Sequence, residues 1–503
     1  MASWTKRKIE RSLGGYKHTL PSGLVEGSER CQDPYSVAVI GGGLAGLSAA
    51  IHLAEKGVKV TVYESASYLG GKCGAWPHTL PDGTEVWVEH GFHAVFRQYY
   101  NCRELLERAG VSKHYRSIDD YLILGLDGEA TGFADIETTP VLNLLSLWKK
   151  GLYKMWDIIS SRAIRYMPQF LKYDPEKTFE RFDTTTYNQF CEEGSIPEDL
   201  RFVFNTFARA FFADGDRMSM AEVIKSFHFY FLSHDHGLLY EYLDDSYHHA
   251  FITPLRSHLE SHGGTIHLNQ GIEAIEPEGE QLRIDGSVFD QVILACDVKG
   301  VEQILRASEA LTTAFPGVAT ELSPLKASQR YCVLRVWMDR RVGDELPVFV
   351  ITEKNPMLDS ITFCHRAEKD CTEWAERTNG GIYELHCYAV PDDIADEKEA
   401  RETLLREMMH FLPELKEAKV VDSYLQLNGN FSAFHVGMHG SRPTTRSIHP
   451  RLKYAGDWVR LPCPAMLMEA AATSGVLAAN EILADQDVQG HPVYTVPLRG
   501  IMA

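Results

Sequence analysis

The stretch from Ser36 to Gly57 constrains this chain more than any other part of it. A short β-branched strand, SVAVI, runs into the turn GGGLAG and then into an alanine-rich helical pattern that stops at Gly57. Gly41, Gly43 and Gly46 stand at the spacing G-x-G-x-x-G, and Leu44 and Ala45 open the helix. A turn this tight needs glycine, as does a backbone that must approach a pyrophosphate and a helix packed hard on its strand. The helix N-terminus supplies the matching positive potential. A second strand, VKVTVYE, follows and ends on Glu64, 18 residues after Gly46. That is the place at which an acid accepts hydrogen bonds from a ribose. The unit predicts a parallel βαβ fold holding a dinucleotide whose adenosine ribose carries no phosphate.

At 503 residues the chain is too long for one ordinary domain of roughly 100 to 200 residues. Two domains that share the chain are expected. A formal net charge of −19 repels phosphate backbones, so no nucleic-acid partner is expected. The ten cysteines contain no C-x-x-C pair, and no cluster of metal-ligand spacing is expected to hold a metal. They read as reduced thiols of a cytoplasmic protein. Lys6, Arg7, Lys8 and Arg11 precede no apolar run of signal-peptide length, and no stretch is long and apolar enough to span a membrane.

Directly after Glu64 the chain reads SASYLGGKCGAW. Gly70, Gly71 and Lys72 here resemble the second fingerprint of the flavin amine oxidase and carotenoid desaturase superfamily, where this loop lies along a flavin. Far downstream, LKYAGDWVRLPCPAMLMEAAATSG is similar to the same superfamily's closing motif. Its matching positions are Gly456, Asp457, Met468 and Glu469, with Ala470 where many relatives carry glycine. The resemblance implies FAD, with Asp457 toward the ribityl and pyrophosphate and the helix after it facing the flavin pyrimidine. It also implies that the segment GTIHLNQGIEAIE sets backbone against adenine near Ile272.

The implied fold is α/β: a Rossmann-type FAD-binding domain of the glutathione-reductase-like kind, amine oxidase branch, with an inserted α+β substrate domain. FAD-binding segments are expected at 34–115, 246–302 and 431–487, and substrate-domain segments at 116–245 and 303–430. Residues 1–33 are expected to form a loosely ordered arm and 488–503 a tail. The first insertion is rich in aromatics, including Phe202, Phe204, Phe207, Phe211, Phe212, Phe227, Phe229, Tyr230 and Phe231, which suits an apolar tunnel. Leu142 to Ile164 sets Trp148 and Trp156 beside Lys149, Lys150 and Lys154, a pattern suited to a peripheral contact with the inner face of the cytoplasmic membrane.

The stretch EHGFHAVFRQYYN narrows the resemblance to ζ-carotene desaturases through Glu89, Gly91, His93, Phe96, Tyr99 and Asn101, with Ala295 to Val298 as a further match. Segments near residues 228, 374 and 455 resemble carotene ring desaturase/methyltransferases of the isorenieratene synthase type. The activity implied is desaturation of a carotenoid or similar long apolar isoprenoid, with hydride passing to FAD and electrons leaving to oxygen or a quinone. Ring aromatisation by a 1,2-methyl shift belongs to the same implication. His93 is the leading acid or base; His248 and His249, beside Asp244 and Asp245, come second. Two alternatives share the fingerprints: a flavin amine oxidase acting on a C–N bond, and an escort protein that binds prenyl lipids without redox work.

Overall fold

A computed structural model describes all residues except 1, 24–25, 119, 121, 126–129, 199, 202–208 and 353–356. Strand Ser36–Ile40 lies at the middle of a five-stranded sheet in the order Thr265–His267, Lys59–Tyr63, Ser36–Ile40, Gln291–Leu294, Leu452–Tyr454. Every pairing in it is parallel. Parallel strands must be covered on both faces, which is why SVAVI is apolar at nearly every position rather than alternating. One cover is the helix Leu44–Glu55, built of small residues that sink into the core. A second helix, Leu467–Asp485, crosses it at Gly475, where an added Cβ would stand 2.5 Å from the Ala45 carbonyl oxygen. The close approach of the two helices is made at Gly475.

The two insertions meet in one seven-stranded sheet. Its strands Leu122–Leu124 and Ala130–Gly132 come from the first insertion, and those between Tyr331 and Asn428 from the second. Tyr331–Met338 and Gly381–Cys387 form its interior and are buried along their whole lengths. A hairpin, Ala75–Thr79 with Glu85–Glu89, lies over this sheet through Trp76 Nε1 donating to Tyr424 Oη (3.1 Å) and His78 against Asp422 (2.8 Å).

Three expectations change. The N-terminal arm is ordered: Ala2–Ser12 is a helix, and His18–Leu20 pairs antiparallel with Val493–Thr495. The tail thus closes a strand pair, and the Pro497 carbonyl accepts from His228 Nε2 at 2.6 Å. The boundary expected after residue 302 falls inside the helix Val298–Ala307, which Asp297 caps. Val301, Ile304, Leu311, Val318 and Leu322 pack on Ala38, Ile40, Val292 and Leu452, because the sheet's second face needs apolar cover too.

Burial pushes His228 and His365 down to about 4, so both stay neutral in the folded chain over a range where the unfolded chain takes up protons. The unfolded state binds more protons below about pH 6.5, and stability falls as pH drops toward 4. At pH 5 each histidine is expected to cost up to about 2 kcal/mol relative to pH 7. Thermal unfolding of wild type and His228→Gln across pH 5 to 7 checks this: the variant should show the shallower loss, and equal slopes would contradict it.

Candidate active site

The parallel sheet, the helix Leu467–Asp485 and the seven-stranded sheet enclose a cavity of about 1370 Å³. That exceeds the roughly 300 to 1,000 Å³ of an ordinary single-ligand pocket, leaving room for a large cofactor and a substrate together. Gly41, Gly43, Leu44, Ala45, Glu64, Gly70, Gly71, Lys72, Ile272, Gly456, Asp457, Met468 and His93 all line it. Gly46 lies one layer behind, where a Cβ would stand 1.9 Å from the Gly41 carbonyl oxygen.

The glycines form a cradle that side chains would fill. Gly41 has φ +110°, and a Cβ on it would meet the Ala295 carbonyl oxygen at 2.7 Å. Gly70 donates its N–H to the Gly42 carbonyl at 2.8 Å, and a Cβ on Gly71 would stand 3.0 Å from the Gly43 Cα. The two glycine loops are thus laid edge to edge. Glu64 ties them together: Oε2 accepts from Gly42 N and Oε1 from Ala66 N, both at 2.8 Å. Backbone N–H groups of Asn269 and Gln270 donate to the Ala66 and Glu64 carbonyls at 2.9 Å, which sets Ile272 at the cavity's far end.

Two helix N-termini face this space. Neither Gly43, before Leu44–Glu55, nor Met466, before Leu467–Asp485, caps its helix with a side chain. Their first N–H groups are therefore left for a ligand, and the combined positive potential suits a pyrophosphate at one and an electron-rich ring at the other. Leu467 enters the second helix at φ +48°, an uncommon conformation for a branched residue and one that occurs at a cavity wall. Gly456 N donates to Ser474 Oγ (2.8 Å), and Asp457 Oδ1 accepts from Ser432 Oγ (2.6 Å). Glu469 turns away: its carboxylate accepts from Asn101 N (3.0 Å) and Cys102 N (2.9 Å). It joins this helix to the start of Tyr100–Arg108 and does not line the cavity. The donor set fits FAD.

Lys72 Nζ lies 4.4 Å from the Phe431 ring, and Phe431 stacks on Phe212 at 3.6 Å. Phe211, Phe212, Tyr230 and Phe231 line the cavity; Phe227 and Phe229 are core residues, and Phe202, Phe204 and Phe207 lie outside the described residues. His93 Nε2 donates to the Lys72 carbonyl at 2.9 Å, and its ring packs on Tyr247. Burial pushes His93 down to about 4, so it is neutral at physiological pH with its one lone pair on Nδ1. His248 and His249 lie elsewhere: His248 stacks on Trp87 at 3.6 Å, and neither lines the cavity. Asp245, His249 and Asp370 bring their ligand atoms within 4.8 Å of one another there.

Residues that sequence reasoning did not single out complete the walls: Phe349, Tyr331, His386, Tyr388 and Gln426, with Ser432 behind them on Asp457. One signal was available. In GIYELHCY, polar Glu384, His386 and Tyr388 alternate along a strand that is otherwise apolar, the period at which one face of a sheet looks into a site.

The Flavin containing amine oxidoreductase family profile matches residues 44–483. A carotenoid phi-ring synthase of Streptomyces griseus is 34% identical over 93% of this chain and 91% of its own length. A 15-cis-phytoene desaturase of Solanum lycopersicum is 27% identical, over 96% of this chain and 84% of its own. Among solved structures, a putrescine oxidase triple mutant superposes with a TM-score of 0.65 at 16% identity, covering 90% of this chain and 99% of that one, a likeness of fold. The cradle, the paired helix N-termini and these matches agree: the chain belongs to the flavin containing amine oxidoreductase family and is an FAD-dependent oxidoreductase.

Proposed function

We propose that this enzyme desaturates a carotenoid, with ring aromatisation by a 1,2-methyl shift as the form of the reaction. The observation that carries the reading is the cavity wall beyond the glycine cradle. It includes Phe96, Tyr230, Phe231, Tyr240, Phe349 and Ile351, a largely aromatic surface suited to a hydrocarbon. The similarity to a carotenoid phi-ring synthase and a phytoene desaturase supports the same substrate class.

Bound FAD supplies the two-electron acceptor that an unactivated C–H bond requires. The chain's own residues do the remainder. Gly41, Gly43, Leu44 and Ala45 receive the pyrophosphate, Glu64 the adenosine ribose, Ile272 the adenine surroundings, Gly456 and Asp457 the ribityl chain, and Met468 the ring edge. Gly70, Gly71 and Lys72 lie along the cofactor. Aromatic faces around the substrate exclude water and stabilise positive charge that develops in a polyene. His93 lines the cavity and holds the Lys72 loop through its Nε2–H on the Lys72 carbonyl.

The substrate's route is proposed to start at a membrane. No helix among the described residues is long and apolar enough to cross one. The segment Leu142 to Ile164 folds into the short helices Leu142–Lys149, Met155–Ile159 and Ala163–Tyr166, and these expose Leu145, Trp148, Trp156, Ile159 and Ile164. Trp156 is 73% exposed and Trp4, on the N-terminal helix, 64%. Lys6 pairs with Glu137 at 2.8 Å, which brings that helix toward the patch, and Lys150 Nζ bonds the Ala134 carbonyl next to cavity-lining Phe133. Tryptophan with flanking lysines suits an anionic lipid interface. Reoxidation by oxygen or a membrane quinone, at the inner face of the cytoplasmic membrane, completes the proposal.

An anaerobic visible spectrum of the FAD-loaded protein tests the reading. Bleaching on addition of cyclic carotenes, with products that have lost hydrogens, is expected; bleaching by amines alone would overturn it in favour of an amine oxidase. A Trp148→Glu, Trp156→Glu variant should bleach normally with carotene in detergent and lose most of its rate with carotene in anionic liposomes. Equal rates in both would remove the membrane route. His93→Ala should lower flavin content after dialysis, and undiminished content would show that the Lys72 loop does not depend on it.

A further inference from the structure

At the wall of the cavity a chain of charged groups ends on one imidazole. Glu368 accepts from Arg335 through both oxygens (2.9 and 3.0 Å), and Arg335 donates from Nε to Glu384 Oε2 at 2.9 Å. Glu384 Oε1 then lies 3.1 Å from His386 Nε2. Arg335 and Glu384 are almost wholly buried, whereas the His386 ring reaches the cavity. Against the desolvation that would raise it, Arg335 and His386 hold the Glu384 carboxyl down to about 2. The contact is electrostatic, since neither Oε1 nor Nε2 has a hydrogen-bond partner among the described residues; a carboxylate at this distance favours the tautomer with its proton on Nε2 and the lone pair on Nδ1.

Gly91 packs without a side chain beside that nitrogen. It has φ +111°, and a Cβ there would stand 2.6 Å from His386 Cε1 and 3.1 Å from Nδ1. Among the described residues no hydrogen bond engages Nδ1. The same short stretch carries Glu89, whose carboxylate accepts from Tyr247 N (2.7 Å) and whose carbonyl accepts from Gln426 Nε2 (2.6 Å). It also carries His93, which holds the Lys72 loop. One segment therefore fixes the distance between the cofactor loop and the imidazole.

Resting on the carotenoid reading above, we propose that His386 Nδ1 is the proton acceptor of the reaction and that Glu384 is its positioning residue. Each desaturation removes a hydride and a proton. The hydride leaves a ring carbon with both electrons of its C–H bond and goes to FAD. In the aromatising step a methyl group moves with its bonding pair from the gem-dimethyl carbon to the neighbouring cationic carbon. A proton then passes from an adjacent ring C–H to His386 Nδ1, and the electrons of that bond become the new C=C. The imidazolium is stabilised by Glu384, whose negative charge is already balanced on its far side by Arg335.

The test compares FAD-loaded wild type, His386→Ala, His386→Gln and Glu384→Gln for flavin content, melting temperature and product formation from a cyclic carotene, with and without added imidazole. His386→Ala and His386→Gln should keep their flavin and lose about 100-fold in product formation. Imidazole should restore His386→Ala by at least about tenfold and leave His386→Gln, whose side chain fills the site, unrestored. Glu384→Gln should fall between them. Product formation by His386→Ala within about threefold of wild type overturns the assignment, as does a flavin-loaded His386→Ala that imidazole cannot rescue. Should His386→Ala lose its flavin, His386→Gln decides alone, and near wild-type turnover there overturns it. A wild type that does not act on carotenes overturns the substrate reading and this assignment together; a wild type that does, beside an unimpaired variant, overturns this one only.

Discussion

Backbone crowding around Gly41, Gly43 and Gly46 sets the position of everything else that faces the cavity. The Gly46 Cα lies so near the Gly41 carbonyl that any side chain would drive the helix Leu44–Glu55 off its strand. With the helix so close, the Gly70–Gly71 loop can lie against Gly43, and Glu64 can reach the Gly42 and Ala66 N–H groups at once. The second helix then has one seat, with Gly475 over Ala45 and Ser48, and that seat aims its uncapped N-terminus into the same space. Two helix ends left uncapped around a concave space form a strong anion site, and they are satisfied when a ligand is present.

The cofactor half of the site was legible because its physical demands are local. A tight turn, an acid at the end of the next strand and a helix start are each encoded within a few residues, and every expected cofactor residue lines the cavity except Gly46 and the motif position Glu469. What sequence could not reveal is set by long-range packing. Ser432 reaches Asp457, and Trp76 reaches Tyr424 across 348 residues of chain. His386 stands on a strand whose register against Tyr331–Met338 decides which side chains face the cavity. The alternation Glu384, His386, Tyr388 was present, but alternation alone does not tell a cavity face from a solvent face. The arm and tail were misjudged for a related reason: His18–Leu20 and Val493–Thr495 have no partner near them in sequence and are ordered by each other.

The two halves of the cavity differ in kind, and the proposed chemistry uses the difference. One half is backbone, glycine and helix dipole, suited to a charged dinucleotide. The other is lined largely by aromatic side chains, suited to a hydrocarbon that offers no heteroatom to grip. Between them, the short segment Glu89 to His93 touches both: His93 on the Lys72 carbonyl, Gly91 against His386, Glu89 on Tyr247 and Gln426. A desaturase needs both a hydride acceptor and a proton acceptor within reach of one ring, and this segment ties the cofactor loop to the imidazole.

The most direct measurement is a crystal structure of the FAD-loaded protein with a cyclic carotene bound under anaerobic conditions. The expected result is a polyene lying along Tyr230, Phe231 and Phe349, its end ring between the flavin and His386 with reacting atoms about 3 to 3.5 Å apart. A carotene bound outside the cavity, or a ring whose face toward His386 is covered by other side chains, would contradict the assignment of this cavity as a site of carotenoid desaturation.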